Sequence, residues 1–150
     1  MDDVRFVPRF VQSGDAKIAY YTWGSGEPLV LLHGNGEDSR YFRGQIPVFA
    51  RRFRVIAVDS RGHGRSGHGA CGLHFAQMAD DLKTVFDALG LQRAHILGFS
   101  DGGNLAITFA LRYPQQVDKL VLNGANLHML TGVKPAIQPV SYTHPDAADD

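Results

Sequence analysis

Apolar positions along this chain fall into three kinds of run, and each kind predicts a different element. Phe75, Met78, Ala79, Leu82, Val85, Phe86 and Leu89 follow one another at spacings of 3, 1, 3, 3, 1 and 3, with Asp80, Asp81, Lys83 and Asp87 off the stripe. That period predicts an amphipathic helix laid on a sheet, stopped by Gly90. Pro28-Leu29-Val30-Leu31-Leu32 is apolar throughout, as a strand covered on both faces must be, and residues 54–58 and 94–99 predict further strands of the same sheet. The β-rich runs 4–12 and 16–23, parted by Ser13-Gly14-Asp15, predict a hairpin at a sheet edge. Phe6, Val7, Phe10, Val11, Ile18, Tyr20 and Tyr21 would form its apolar surface.

Three further elements complete the series. Ser39 is the expected N-cap of a helix reaching to about residue 51, with Tyr41, Phe42, Ile46 and Phe49 turned inward and Pro47 bending or splitting it. A helix is expected over residues 102–113, ended by Pro114, and a strand over 119–122. The order strand, helix, strand, helix, strand, helix, strand implies an α/β fold: right-handed crossovers and a mostly parallel, twisted sheet with helices on both faces. Such sheets bind ligands at the carboxyl ends of their strands, where His33, Asp59, Ser100 and Asn123 all fall.

Composition narrows the partners. With 44% hydrophobic and 20% charged residues, the chain can build a real core. Fifteen basic and fifteen acidic residues cancel, so no global field attracts nucleic acid or an anionic membrane, and a small neutral substrate fits better. No apolar run approaches the roughly 18 residues of a membrane span, and a cytoplasmic protein is expected. The single cysteine, Cys71, lies in a Gly-Ala-Cys-Gly loop without a basic neighbour, and reads as incidental. No metal and no cofactor are expected.

The candidate chemistry centres on Gly98-Phe99-Ser100-Asp101-Gly102, a G-x-S-x-G match at a strand-to-helix turn. A serine held on so tight a turn needs neighbours without a Cβ, and Gly98 and Gly102 fill those places. The following helix aims its first amides, including the N–H of Asp101, at a group bonded to Ser100, where they stabilise negative charge. Ser100 is thus the candidate nucleophile. A short match of this kind also arises by chance, so its weight depends on context.

That context comes from two more loops. Set in order, His33-Gly34-Asn35-Gly36, Asp59-Ser60-Arg61-Gly62-His63-Gly64-Arg65-Ser66 and Gly98-Phe99-Ser100-Asp101-Gly102-Gly103 make residues 16–138 resemble the α/β-hydrolase superfamily, in particular its serine hydrolases and esterases. The resemblance implies an oxyanion hole made by the backbone N–H groups of Asn35 and Asp101, with His33, Gly34 and Gly36 shaping the loop. It also implies a structural role for the Arg61-Gly62-His63-Gly64 turn. His33 and His63 match loop positions, His68, His74 and His95 read as surface or packing residues, and His144 lies in the tail. His128, just after the last strand, is the one native histidine worth testing as a base.

The family's acid and base have no matching position in this sequence. Only 47 residues follow Gly103, whereas such domains commonly reach roughly 200 to 250 residues. The expectation is therefore an amino-terminal portion of the domain over residues 1–138, cut after about the sixth strand, with residues 127–138 beginning a lid. Residues 139–150, polar, acidic and without periodicity, are expected to be a disordered tail, and their resemblance to translated sequencing-adapter artefacts implies an end foreign to the native gene. The parent protein is expected to be a serine hydrolase acting on an ester or similar acyl small molecule, and the isolated chain to turn over little. Two alternatives stand beside it. One is an inactive hydrolase-like fragment that binds a small ligand or partner. The other is a dinucleotide-binding domain, since Gly34-Asn35-Gly36 follows a strand and Asp59 comes 23 residues later, although Ser39 stands at the third glycine position.

Overall fold

The structure, a computed structural model, describes residues 4–70 and 72–125. Expectations for Cys71, the lid, His128, His144 and the 139–150 tail lie outside these residues. Six strands, β1 (Arg9–Ser13), β2 (Ala16–Trp23), β3 (Glu27–Leu32), β4 (Phe53–Val58), β5 (Ala94–Phe99) and β6 (Val117–Asn123), form one sheet in the order β1-β2-β4-β3-β5-β6. β1 and β2 are an antiparallel hairpin, β2 runs antiparallel to β4, and the pairs β4/β3, β3/β5 and β5/β6 are parallel. The sheet is thus mixed but mostly parallel, as the α/β pattern implies.

The unbroken apolar run of β3 becomes two alternating faces once it is paleated into the sheet. Val30 and Leu32 join Ile56 and Val58 of β4 in a core shared with α2 (Phe75–Leu89) and α3 (Asp101–Arg112). Leu29 and Leu31 join Val55 and Ala57 in a second core under Phe42 and Ile46. Both faces are covered from Leu29 and Val55 onward, and beyond those points neither strand carries a polar residue. On the first face Phe86 of α2 meets Phe109 of α3 with ring centroids 4.9 Å apart, both fully buried, each worth about 1.5–3 kcal/mol of burial. Gly90 ends α2 in the left-handed conformation at φ 68°, which a Cβ would disfavour.

Four local expectations need correction. The helix from Ser39, expected to be bent or split at Pro47, is broken before it: a 3-10 turn, Ser39–Phe42, precedes the short α1 (Ile46–Phe49), and Pro47 sits in the first turn of α1, where a missing N–H costs nothing. Its cap is Asp38, whose carboxylate accepts from the Arg40 N–H at 2.9 Å; Ser39 is buried and gives its own N–H to Asp59. Tyr41 points outward, 41% exposed, because its ring stacks on Phe99 instead of entering the core. Val7 and Phe10 are exposed too: β1 begins only at Arg9, and residues 4–8 run irregularly along the edge.

Parallel register brings the loops together. Leu32 is level with Val58 on one side and Gly98 on the other, and Phe99 is level with Asn123. The segments after β3, β4 and β5 therefore leave the sheet at one edge, within a residue of each other.

Candidate active site

Ser100 sits between β5 and α3 with φ 56° and ψ −119°, the one non-glycine residue at positive φ among those described. The turn holds this conformation through backbone bonds on both sides. The Ser100 N–H donates to Asn123 O at 2.7 Å, and the Ser100 carbonyl accepts from the N–H groups of Gly103 at 2.8 Å and Asn104 at 3.2 Å. The strand and helix can cross this closely only because Gly98 and Gly102 lack side chains. A Cβ on Gly102 would strike the Leu32 carbonyl and lie 2.6 Å from His33 O, and one on Gly98 would strike Gly102 O. The same contact shows how tightly the elbow is seated against the end of β3.

The loop after β3 closes over this turn. A Cβ on Gly34 would lie 3.3 Å from Ser100 Cβ. The N–H groups of Asn35 and Asp101 have no hydrogen-bond partner among the described residues, and both residues line a cleft of about 200 Å3. Two free donors beside a serine hydroxyl can hold a developing oxyanion, worth on the order of 3 kcal/mol of barrier per donor in other enzymes.

His33 is a strut. The Ser60 N–H donates to its Nε2 at 3.0 Å, and its Nδ1 lies 2.7 Å from Gly34 O, an atom that can only accept. The imidazole is therefore neutral with its proton on Nδ1, and it ties the β3 and β4 loops together. Nothing of the ring is left to take a proton from Ser100. Among the described residues no histidine is hydrogen-bonded to Ser100.

Burial pushes the His33 imidazole below the ordinary histidine range, with His63 adding to the effect and the Gly34 hydrogen bond, Asp59 and Asp38 opposing it. The unfolded chain takes up this proton near pH 6.5, and the folded chain only at lower pH. The resulting stability is fully present above about pH 6.5 and is lost as the pH falls through the folded value. Asp15 and Asp38 are held below the usual carboxylate range, by hydrogen bonds from the Ala70 N–H and Arg61 and from Arg40 respectively. Their contribution disappears only in a more acidic window, below about pH 4. Thermal unfolding at about pH 7.5 and pH 5 should show a fall in Tm on mild acidification that shrinks in His33→Gln. An equal fall in both proteins would place the sensitive group elsewhere.

Asp59, which sequence reasoning only placed at the sheet edge, is the hub of this region. Its buried carboxylate accepts from the Ser39 N–H at 2.9 Å, the Tyr21 hydroxyl at 2.8 Å and the Arg65 N–H at 3.0 Å, and its carbonyl accepts from Ser66 Oγ. Burial, and then the bond to Asp59, push the Tyr21 phenol up. A carboxylate so occupied, 1% exposed, is not presented to a ribose, and the dinucleotide alternative fails on it. Arg61, two positions on, belongs to the turn expected to be structural, but its buried ion pairing was not foreseen. Its guanidinium is buried and donates to both Asp81 oxygens at 2.9 Å, to Asp15 at 2.6 Å and to Ser13 O at 2.9 Å. The sequence signal for it was Asp81 itself, an acid next to the apolar stripe of α2.

Sheet order and turn geometry together define a class, the α/β hydrolases. The chain belongs to that family: residues 27–149 match the model for the alpha/beta hydrolase fold. Over 117 residues it is 43% identical to a 2-hydroxy-6-oxononadienedioate/2-hydroxy-6-oxononatrienedioate hydrolase of Paraburkholderia phymatum, covering 73% of this chain and 40% of that protein. An esterase from Exiguobacterium antarcticum superposes with a TM-score of 0.76 at 37% identity, over 79% of this chain and 46% of the esterase. The solved structure of an N-acyl homoserine lactone degrading enzyme gives a TM-score of 0.78 at 35% identity, over 85% and 49%. The chain spans less than half the length of each of these relatives. Among the described residues no helix is long and apolar enough to cross a membrane.

Proposed function

We propose that the protein is a serine hydrolase acting on an ester or similar acyl small molecule, with Ser100 as nucleophile and the Asn35 and Asp101 amides as oxyanion hole. The observation that carries this reading is the strained Ser100, packed by Gly98 and Gly102 against the end of β3 and beside two unpartnered amides. Ser100 Oγ attacks the carbonyl carbon as its proton passes to a histidine base, which a carboxylate orients; both are supplied from outside the described residues. Collapse of the tetrahedral adduct breaks the bond to the leaving group, which collects that proton. Water then repeats the sequence on the acyl-enzyme and releases the acid. The names of the relatives, a 2-hydroxy-6-oxononadienedioate/2-hydroxy-6-oxononatrienedioate hydrolase, an esterase and an N-acyl homoserine lactone degrading enzyme, support hydrolysis of a small molecule over any narrower assignment. The reading needs no metal or cofactor, takes residues 1–138 as part of a hydrolase domain, and places the enzyme in the cytoplasm.

A fluorophosphonate probe tests it directly. The full-length protein should be labelled at Ser100, located by peptide mass spectrometry, and Ser100→Ala should not be labelled. Absence of labelling in the full-length protein would favour a hydrolase-like binding protein without turnover.

A further inference from the structure

The cleft beside the two amides that are unpartnered among the described residues has an apolar wall and, among those residues, no lysine or arginine. Leu73, Phe75 and Met78, from the approach to α2 and its first turn, supply the apolar wall, and Asn35, His63 and Asp101 are among the polar residues that line the rest. The stripe of α2 predicts Phe75 and Met78 as core, and they do pack there, but they also turn their outer surface to this space. Leu73 is 46% exposed, a surface leucine whose neighbourhood gives it a use. At about 200 Å3 the cleft is smaller than the roughly 300–1,000 Å3 of sites that enclose a whole drug-sized ligand. It takes one arm of a substrate.

Charge decides which kind of arm. No Lys or Arg lines the cleft among the described residues, and the one formal charge there is the Asp101 carboxylate, which Asn104 Nδ2 approaches at 3.3 Å. Arg61, the nearest buried cation in sequence, is turned away and consumed by Asp81, Asp15 and Ser13. The other polar side chains of the lining, those of Asn35, Ser60 and His63, are hydrogen-bonding groups. His63 Nδ1 lies 3.0 Å from Arg61 O, and its Nε2 lies 3.3 Å from Asn35 Oδ1. A carboxylate at the end of the arm would meet Asp101 and lose its water without gaining a cation.

We propose that this cleft is a specificity subsite for a short, uncharged aliphatic arm attached to the reacting carbonyl, with Leu73, Phe75 and Met78 as the selecting residues. The inference deepens the acyl-hydrolase reading and rests on it for the carbonyl. Its test is therefore one of binding, which does not need Ser100 to react.

The methionine methyl groups of the protein, labelled with carbon-13 and assigned through Met78→Leu, can be followed by NMR while two six-carbon methyl ketones are added. Hexan-2-one is neutral, and 5-oxohexanoate carries a carboxylate at its far end. Hexan-2-one should shift the Met78 methyl along a saturable curve, with 5-oxohexanoate roughly tenfold weaker. Leu73→Arg, at an exposed position that tolerates the change, should bring the anion to within about threefold of the ketone by supplying the missing cation. Equal or tighter binding of 5-oxohexanoate to the unaltered protein, or no shift of Met78 with either ligand, would overturn the proposal. Ser100→Ala should bind hexan-2-one as the unaltered protein does. If fluorophosphonate labelling fails while this binding persists, the catalytic reading falls and the subsite stands.

Discussion

Ser100→Gly is expected to remove catalysis and at the same time make the protein more stable. A non-glycine residue held at φ 56° and ψ −119° lies outside the regions open to L side chains, at a cost of about 1–3 kcal/mol. Glycine relieves that cost but gives the unfolded chain more freedom, worth about 0.5–1 kcal/mol in the opposite sense. The balance favours the folded variant by up to about 2.5 kcal/mol. Ser100→Ala keeps the Cβ and with it the strain, so its stability should stay within about 0.5 kcal/mol of the parent. Both variants lose the proposed nucleophile, and loss of such a group costs on the order of 10^6-fold in turnover in a serine protease. Urea unfolding of the three proteins, with hydrolysis of a nitrophenyl ester by their full-length forms, separates strain from chemistry. A glycine variant less stable than the alanine one would mean that Ser100 is not strained, and retained turnover in either would end its role as nucleophile.

The sequence is most readable where a single local rule decides the outcome. The stripe of α2 fits one helical period and ends at Gly90, and the observed helix has those bounds. The unbroken apolar run of β3 could only be a strand with two buried faces. The elbow needed glycines at fixed places, and each of them meets backbone within a few ångströms. Reading fails where two residues of similar propensity compete and a distant partner decides. Asp38 and Ser39 are both good caps, and the choice between them was made by Asp59, 20 residues away, which claims the Ser39 N–H. Tyr41 is spaced to face inward, but Phe99, at the end of another strand, offers its ring a stacked contact at 4.6 Å. Within the site, His33 was visible as a loop residue, whereas its tautomer follows only from its contact with Ser60 across 27 positions. Nor does any period mark Phe75 and Met78 as walls of a cleft; that depends on where the first turn of α2 lands relative to the β3 loop.

The buried charges of Arg61 and Asp81 carry the second large effect, and their pairing across 20 positions is beyond the reach of local pattern. Their side chains are 3% and 4% exposed, Arg61 grips Asp81 with two nitrogens, and Ser13 Oγ donates to Asp81 Oδ1 at 2.6 Å. The network joins the end of β1, the loop after β4 and the second turn of α2, and the hydrogen bond to Asp81 holds the guanidinium well above its ordinary range. Ser60, next in the chain to Arg61, is the residue that supports His33. Arg61→Met should destabilise the protein by about 3–5 kcal/mol, because Asp81 is then left buried without its cation. That is a large share of the roughly 5–15 kcal/mol available to an ordinary domain. Asp81→Leu alone should cost a similar amount by stranding Arg61, although Asp15, 53% exposed, still offers that cation a partner at the surface. The combined Arg61→Met and Asp81→Leu protein should be less damaged than the sum of the two, since no unpaired charge remains inside; the positive coupling is measured by urea unfolding of all four proteins. Strictly additive losses would show that each side chain acts through its own packing, and that the pair does not hold the β4 loop as a unit.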